Sequence, residues 1–397
     1  MQRYKKFVAA AAAIPLATVL LLAGCAPREF GQTPEDVSAY RYLPYFADGK
    51  FRNQEETPYY PDRVRGGGHT GRLRFFLPNP NAPDYPFPMV RLGKDAFAEN
   101  PEELTAYWLG HSSLIIDLEG KRLLVDPVIG NAAPIPFAVR RFAPPPLERR
   151  ELPLPDYVLI THDHYDHLEY ATIRHLKDKK TFFIVPLGVG AHLVKWGISP
   201  EKIRELGWGD EFSKDGIRII AERALHFSGR TYATRDSSLW ASYVLKGSRK
   251  RIFISGDTGY SGHFRAIGDQ HGPFDLAFIE IDAWNPGWPK THLFPDEVIR
   301  AYHDVRAKAL VPVHWGVFDL ALHPWDESIR MIARLADKDG GVNLLTPLMG
   351  QQLVPGLTQP EHWWANLPSF QSGRNRDCRA DKKTEEKNRC IKLFSSY

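Results

Sequence analysis

Thr161-His162-Asp163-His164-Tyr165-Asp166-His167 decides the reading of this chain. It follows Tyr157-Val158-Leu159-Ile160, an apolar run that predicts a buried strand. Side chains alternate along an extended backbone, so His162 and His164 project to one side. As the chain turns, Asp166 and His167 face a neighbouring position. One short loop thus offers imidazoles to a zinc-like ion and a carboxylate to a second ion of harder character. A lone His-x-His is common among surface histidines. Four metal-type side chains at one strand end point to a metal site.

A two-metal centre needs more ligands than this loop holds, and they follow in order. His226 comes after the strand-like run 219–225. Asp257 closes the run 251–254 through Ser255-Gly256 and opens the turn Thr258-Gly259. His314 closes Ala309-Leu310-Val311-Pro312-Val313. Each is expected at a strand terminus, where layered α/β folds build their sites. Asp126, ending Leu123-Leu124-Val125, is a candidate to orient a ligand histidine from behind. It suits a simple turn before Pro127 equally well. His111 sits in a glycine turn near the site, where a solvent-facing place and a place behind a ligand are both open, and it is not counted as a ligand. Ser112, Ser113 and Ser255 lack the strained Gly-x-Ser-x-Gly turn, which argues against a serine hydrolase.

These residues resemble the metallo-β-lactamase superfamily: His-x-His-x-Asp-His, a later His, Gly-Asp-Thr-Gly and a final His. Within it the chain is similar to N-acylphosphatidylethanolamine-hydrolysing phospholipase D and its bacterial relatives. Besides the first motif, Trp108-Leu109-Gly110-His111-Ser112-Ser113, Leu124-Val125-Asp126-Pro127 and Ile254-Ser255-Gly256-Asp257-Thr258-Gly259-Tyr260 carry the likeness. So do Gly272-Pro273-Phe274-Asp275-Leu276-Ala277 and Val313-His314-Trp315-Gly316. The resemblance implies an α/β fold, a four-layer αββα sandwich with metals at one edge between the sheets. It implies two Zn2+ ions, or other divalent metals, as cofactors. His162, His164 and His226 would hold the first, Asp166, His167 and His314 the second, and Asp257 would bridge them. Tyr165 and His292 occupy the places of substrate contacts. Such a pair lowers the pKa of a shared water toward neutrality, with Asp166 or Asp257 relaying the proton. Aspartate at 257, where β-lactamases of the fold carry Cys, favours phosphodiesterase and glyoxalase-like chemistry.

The expected function is a dinuclear hydrolase cleaving N-acylphosphatidylethanolamine-like phospholipids in the phospholipase D sense through a bridging hydroxide. The first rival is a lactone, thioester or amide hydrolase, or a phosphodiesterase on a soluble substrate, with the same centre. A non-enzymatic envelope lipoprotein is the second, and the complete ligand set counts against it. Dimers are implied by the resemblance alone.

Residues 1–24 read as a secretory signal: Arg3, Lys5 and Lys6, then a short apolar run ending Leu22-Ala23-Gly24-Cys25. That ending resembles a lipobox with Cys25 as the lipidated residue; a plain transmembrane anchor is the alternative, for which the run is short. Ala26 after the cysteine points to the outer membrane, so a membrane-anchored enzyme facing the periplasm is expected. Cys378 and Cys390 remain, and an export compartment permits their pairing. The net charge of +4 comes from the signal and a basic tail; the remainder is slightly acidic and offers no electrostatic footprint for nucleic acid.

Residues 25–68 read as a tether and extended wrap, with Gly66-Gly67-Gly68 as a hinge, 69–365 as the hydrolase domain and 366–397 as a charged, disordered tail. Two hairpins, 114–125 and 239–254, echo each other and suggest two similar β-halves. Helices are predicted over 169–176, 188–196, 296–306 and 325–335. The Pro-rich stretch 127–146 reads either as a lid, with Phe137 and Phe142 meeting acyl chains and Arg140 and Arg141 meeting phosphate, or as a rigid connection. Trp284, Trp288 and Trp315 fit a substrate groove or, better, the core.

Overall fold

Alternate residues of single strands feed different cores, and that alternation builds the layers. The computed structural model describes residues 28–64, 81–97, 103–134, 138–359 and 361–367. The signal, Cys25, the Gly66–Gly68 hinge, Phe137, Cys378, Cys390 and nearly all of the tail lie outside the described residues. A small hairpin, β1 (Phe46–Ala47) with β2 (Lys50–Phe51), precedes the domain. The first large sheet holds β3 (Leu104–Trp108), β4 (Leu114–Leu118), β5 (Lys121–Val125), β6 (Tyr157–Leu159), β7 (Phe182–Pro186) and β8 (Ile203–Leu206). The second holds β9 (Glu211–Lys214), β10 (Ile217–Glu222), β11 (Ser242–Lys246), β12 (Arg251–Ile254), β13 (Leu276–Glu280) and β14 (Leu310–Val313). β15 (Gln352–Leu353) returns to the first sheet, beside β3.

On β4, Leu114, Ile116 and Leu118 enter the core between the sheets, while Ile115 enters the one behind. On β6, Tyr157 and Leu159 face inward and Val158 faces back. The rear core is closed by α1 (Tyr170–Leu176) and α2 (Gly190–Lys195) through Ile173, Leu176 and Leu193. Against the second sheet pack α3 (His263–His271), α4 (Pro295–Val305) and α5 (Glu327–Asp339), through Phe264, Val298, Tyr302, Ile329 and Ile332. The order is helix, sheet, sheet, helix: the metallo-β-lactamase sandwich. No helix of the described residues is long and apolar enough to cross a membrane.

The two halves share one pairing scheme. β3–β4 and β4–β5 are antiparallel, β5–β6 and β6–β7 parallel. β10–β11 and β11–β12 are antiparallel, β12–β13 and β13–β14 parallel. The echo between the hairpins is therefore structural, and it puts Asp126 and Asp257 beyond the ends of corresponding strands. The predicted helices are present, the last running on to Asp339, where Gly340 at φ 73° ends it.

One expectation needs correction, and one open alternative narrows. His226 lies four residues beyond β10, so an extended loop, not the strand end, presents it. Arg141 turns inward: its guanidinium donates to the carbonyls of Ala143 (3.1 Å) and Val128 (2.9 Å), which makes this part of the Pro-rich stretch a rigid connection. Arg140 is exposed. Trp284 and Trp315 are core, Trp315 stacked on Trp108 at 5.1 Å.

Phe253 on β12 is fully buried between Phe264 and Phe274. Phe253→Ala should destabilise the protein by about 3–5 kcal/mol, read as a lower denaturant midpoint with unchanged slope.

Candidate metal centre

Strand ends from both sheets meet at one edge, and backbone hydrogen bonds lock them together. His314 N–H donates to the His111 carbonyl (2.9 Å) and His111 N–H to the Trp315 carbonyl (3.2 Å), joining the loop after β3 to the loop after β14. Both histidines hold left-handed backbones, at φ 52° and 65°. The Ala241 N–H donates to the Thr161 carbonyl (2.9 Å), tying the 161–167 loop to the second sheet. Within that loop the N–H groups of His167 and Leu168 donate to the His164 carbonyl, and this tight turn swings Asp166 and His167 away from His162 and His164.

Three ring nitrogens converge first. His164 Nδ1 lies 2.8 Å from His162 Nε2 and 3.4 Å from His226 Nε2. A second group follows: Asp166 Oδ2 lies 3.0 Å from His111 Nε2, 3.4 Å from His167 Nε2 and 3.5 Å from His314 Nε2. Between the groups stands Asp257. Its Oδ2 is 3.0 Å from His314, 3.3 Å from His167, 3.7 Å from His226 and 3.8 Å from His162. One carboxylate oxygen thus touches both clusters.

The donors fit divalent ions. His167 Nε2, His314 Nε2 and Asp257 Oδ1 are buried without a hydrogen-bond partner, which is costly unless another group satisfies them. Imidazole nitrogens and carboxylate oxygens within 4.8 Å of one another are the donor set zinc-like metals take. Burial holds His162 and His226 well below the usual imidazole range, leaving neutral rings with lone pairs to offer. His314 behaves oppositely. Burial lowers it, yet the carboxylates of Asp257 and Asp166 prevail and push it up to about 10. Burial opposes ionisation of Asp166 and Asp257 too, but the adjacent imidazolium groups hold both well below the usual carboxylate range.

Groups behind the donors orient them. Asp126 accepts from Thr161 N (2.8 Å) and Thr161 Oγ1 (2.7 Å) and lies 2.8 Å from His167 Nδ1, so His167 presents Nε2 to the site. These contacts place Asp126 behind His167, where an orienting group would stand. His226 Nδ1 donates to the Thr291 carbonyl (3.0 Å). His111 is buried, with Nε2 on Asp166 and its ring 4.1 Å from that of His314, so of the two places left open by the sequence it does not take the solvent-facing one. Burial lowers its pKa to about 3. Glu280, at the end of β13, was missed. Its Oε1 accepts from Thr258 N (2.8 Å), and its Oε2 lies 2.6 Å from His292 Nδ1 and 3.8 Å from His314 Nδ1. A lone acid closing the apolar run Leu276-Ala277-Phe278-Ile279 was the available signal.

His292 is brought to the site, its ring 5.0 Å from His226 and 5.2 Å from His314. Tyr165 is half-buried, its hydroxyl donating to the Arg230 carbonyl (2.8 Å). A cleft of about 540 Å³ opens beside His226, walled by residues 51–58, Phe227, Arg235, Asp236 and Trp240.

Residues 121–315 match the family described as the beta-lactamase superfamily domain. An uncharacterized protein of Mycobacterium tuberculosis is 39% identical over 289 residues, 71% of this chain and 77% of that one. N-acyl-phosphatidylethanolamine-hydrolyzing phospholipase D 1 of Caenorhabditis elegans is 34% identical over 251 residues, 60% of this chain and 70% of that one. Outer membrane protein RomA of Klebsiella pneumoniae is 41% identical over 104 residues, 26% of this chain and 78% of RomA. Among solved structures, Igni18, a metallo hydrolase of Ignicoccus hospitalis, shares the fold at a TM-score of 0.50 and 17% identity over 63% of this chain and 97% of its own. With its fold, its clustered donors and these relatives, the chain belongs to the metallo-β-lactamase superfamily. It is a metal-dependent hydrolase of that superfamily, related to the N-acylphosphatidylethanolamine-hydrolysing phospholipases D.

Asp126→Ala should weaken metal binding about 10–100-fold while the protein stays folded, measured by chelator competition beside circular dichroism. Because His314 is protonated up to about pH 10 in the metal-free protein, binding must expel its proton. Apparent affinity should therefore fall as pH falls below that value, and calorimetry in buffers of different ionisation enthalpy should register proton release.

Proposed function

We propose that the protein is a phosphodiesterase of the phospholipase D type, acting on N-acylphosphatidylethanolamine-like lipids at a two-zinc centre. The observation that carries the reading is the placement of Asp257 Oδ2 within 3.8 Å of ring nitrogens from both clusters. The relationship to the Caenorhabditis elegans phospholipase supports the substrate class. His162, His164 and His226 would hold one ion, Asp166, His167 and His314 the other, and Asp257 would serve both. Divalent ions bound there would supply Lewis acidity and acidify a bound water toward neutrality.

The chain's own groups do the rest. Asp166 or Asp257 would relay the proton of the attacking water. Glu280 fixes the His292 ring through Nδ1, so Nε2 is the atom left for the substrate. The cleft beside His226 would take the polar part of the lipid, since Arg52, Asn53, Gln54, Glu55 and Arg235 line it. Cys25 would carry the anchor and keep the enzyme on the periplasmic face of the outer membrane, an address that the name of the RomA relative supports. Confining enzyme and lipid to one surface makes a membrane substrate physically sensible.

Zinc-loaded protein in mixed micelles with N-acylphosphatidylethanolamine should release phosphatidic acid and N-acylethanolamine, identified by mass spectrometry. Asp257→Asn should lower the rate about 10²- to 10⁴-fold. A protein that binds two metals yet leaves this lipid intact would instead direct the search to lactones, thioesters, amides and soluble phosphodiesters.

A further inference from the structure

Arg230 is buried, and the hydrogen bonds of its side chain go to no carboxylate among the described residues. Its guanidinium is satisfied by backbone carbonyls instead. Nη1 donates to Asp163 (2.7 Å) and Leu168 (2.9 Å); Nε (3.0 Å) and Nη2 (2.8 Å) donate to Glu29. Asp163 and Leu168 bracket the stretch that presents His164, Asp166 and His167. One planar fork therefore pins both ends of the ligand loop, and its other edge holds the N-terminal segment. The Tyr165 ring, inside that loop, lies 4.0 Å beneath the guanidinium.

A second link runs in parallel. Gln32 N–H donates to His192 Nδ1 (2.9 Å), so His192 carries its proton on Nε2 and donates to Asp163 Oδ2 (3.1 Å). Asp163 Oδ1 accepts from Gly229 N (2.6 Å). Trp196 Nε1 donates to the Arg28 carbonyl (2.6 Å), seating the segment on α2. Gly31 makes the approach possible: at φ 73°, a Cβ there would lie 2.0 Å from His192 Nδ1. The segment read from sequence as a wrap is hydrogen-bonded, through two separate side chains, to the loop of candidate metal ligands.

We infer that Arg230 is a positioning residue for the ligand loop and that residues 28–32 brace it, so that this N-terminal segment forms part of the metal centre. The inference rests on the proposed metal site. A buried cation is tolerated where its donors are paired; four of the five N–H groups of Arg230 go to backbone carbonyls, and those bonds select one loop conformation. Freed from the fork, the loop keeps its ligands and loses their preorganised spacing. Because it supplies His164 to one cluster and Asp166 and His167 to the other, both metals should feel the loss.

The test compares full-length wild type with Arg230→Gln, Gly31→Ala and Gly49→Ala, each first stripped of metal. Gly31→Ala unseats the brace without touching the loop, so it stays informative if Arg230→Gln fails to fold. Gly49→Ala, at φ 74° with nothing within 4 Å, controls for strain in the same segment. Zinc chloride is titrated against a chromophoric chelator, and the melting temperature of each metal-free protein is recorded. Arg230→Gln and Gly31→Ala should weaken both binding events about tenfold or more, with Gly49→Ala at the wild-type value. Folded Arg230→Gln and Gly31→Ala proteins binding zinc as tightly as wild type would overturn the brace. Wild type that binds no zinc would overturn the metal-centre reading itself.

Discussion

Everything at the functional edge depends on holding mutually interacting ionisable groups in one buried space. Asp166, Asp257 and Glu280 are drawn from water beside His111, His162, His167, His226, His292 and His314. Removing so many polar groups from solvent is costly unless each finds a partner. The fold meets that demand in concentric layers. Donors face one another across a few ångströms, and several are held from behind by a carboxylate or a backbone carbonyl: Asp126 behind His167, Thr291 behind His226, Glu280 behind His292. The orienting groups matter because an imidazole has two nitrogens, and only the one left free by its rear partner can face the centre.

The same constraint explains the repeated β-half. Each half sends two antiparallel strands and then two parallel ones toward one edge, so parallel strands end together there. An aspartate follows the third strand in each case, yet the two acquire different work. Asp126 sits under Thr161 and His167, facing the inside of its loop. Asp257 projects into the gap between the sheets and meets four imidazoles. The difference lies in what stands opposite, which is decided when the two sheets close.

Much of this was legible along the chain. Short apolar runs located β4, β5, β6, β11 and β12, and their terminal polar residues located the candidate ligands, because a strand that buries both faces can place polar groups only at its ends. The helices were legible from periodicity, and Gly197 marked the end of one; the last was read only to Leu335, short of its stop at Gly340. Less legible were residues whose polar character serves long-range partners. Glu280 looks like an ordinary end to β13 until His292 and Thr258 arrive from other segments. Arg141 was left between a phosphate contact and a plain connection, because exposure cannot be read from a Pro-rich stretch; its carbonyl partners turn it inward.

By itself, the sequence determined the layered α/β class and which residue types gather at the strand ends, since local patterning encodes which faces are buried and where strands stop. Tertiary structure alone decided the rest: that His111 backs Asp166, that Glu280 backs His292, and that residues 28–32 reach the ligand loop through Arg230 and His192. Those relations join segments tens to hundreds of residues apart. Hydrogen bonds of that reach depend on how sheets and loops close in space, and no local pattern in the chain records them.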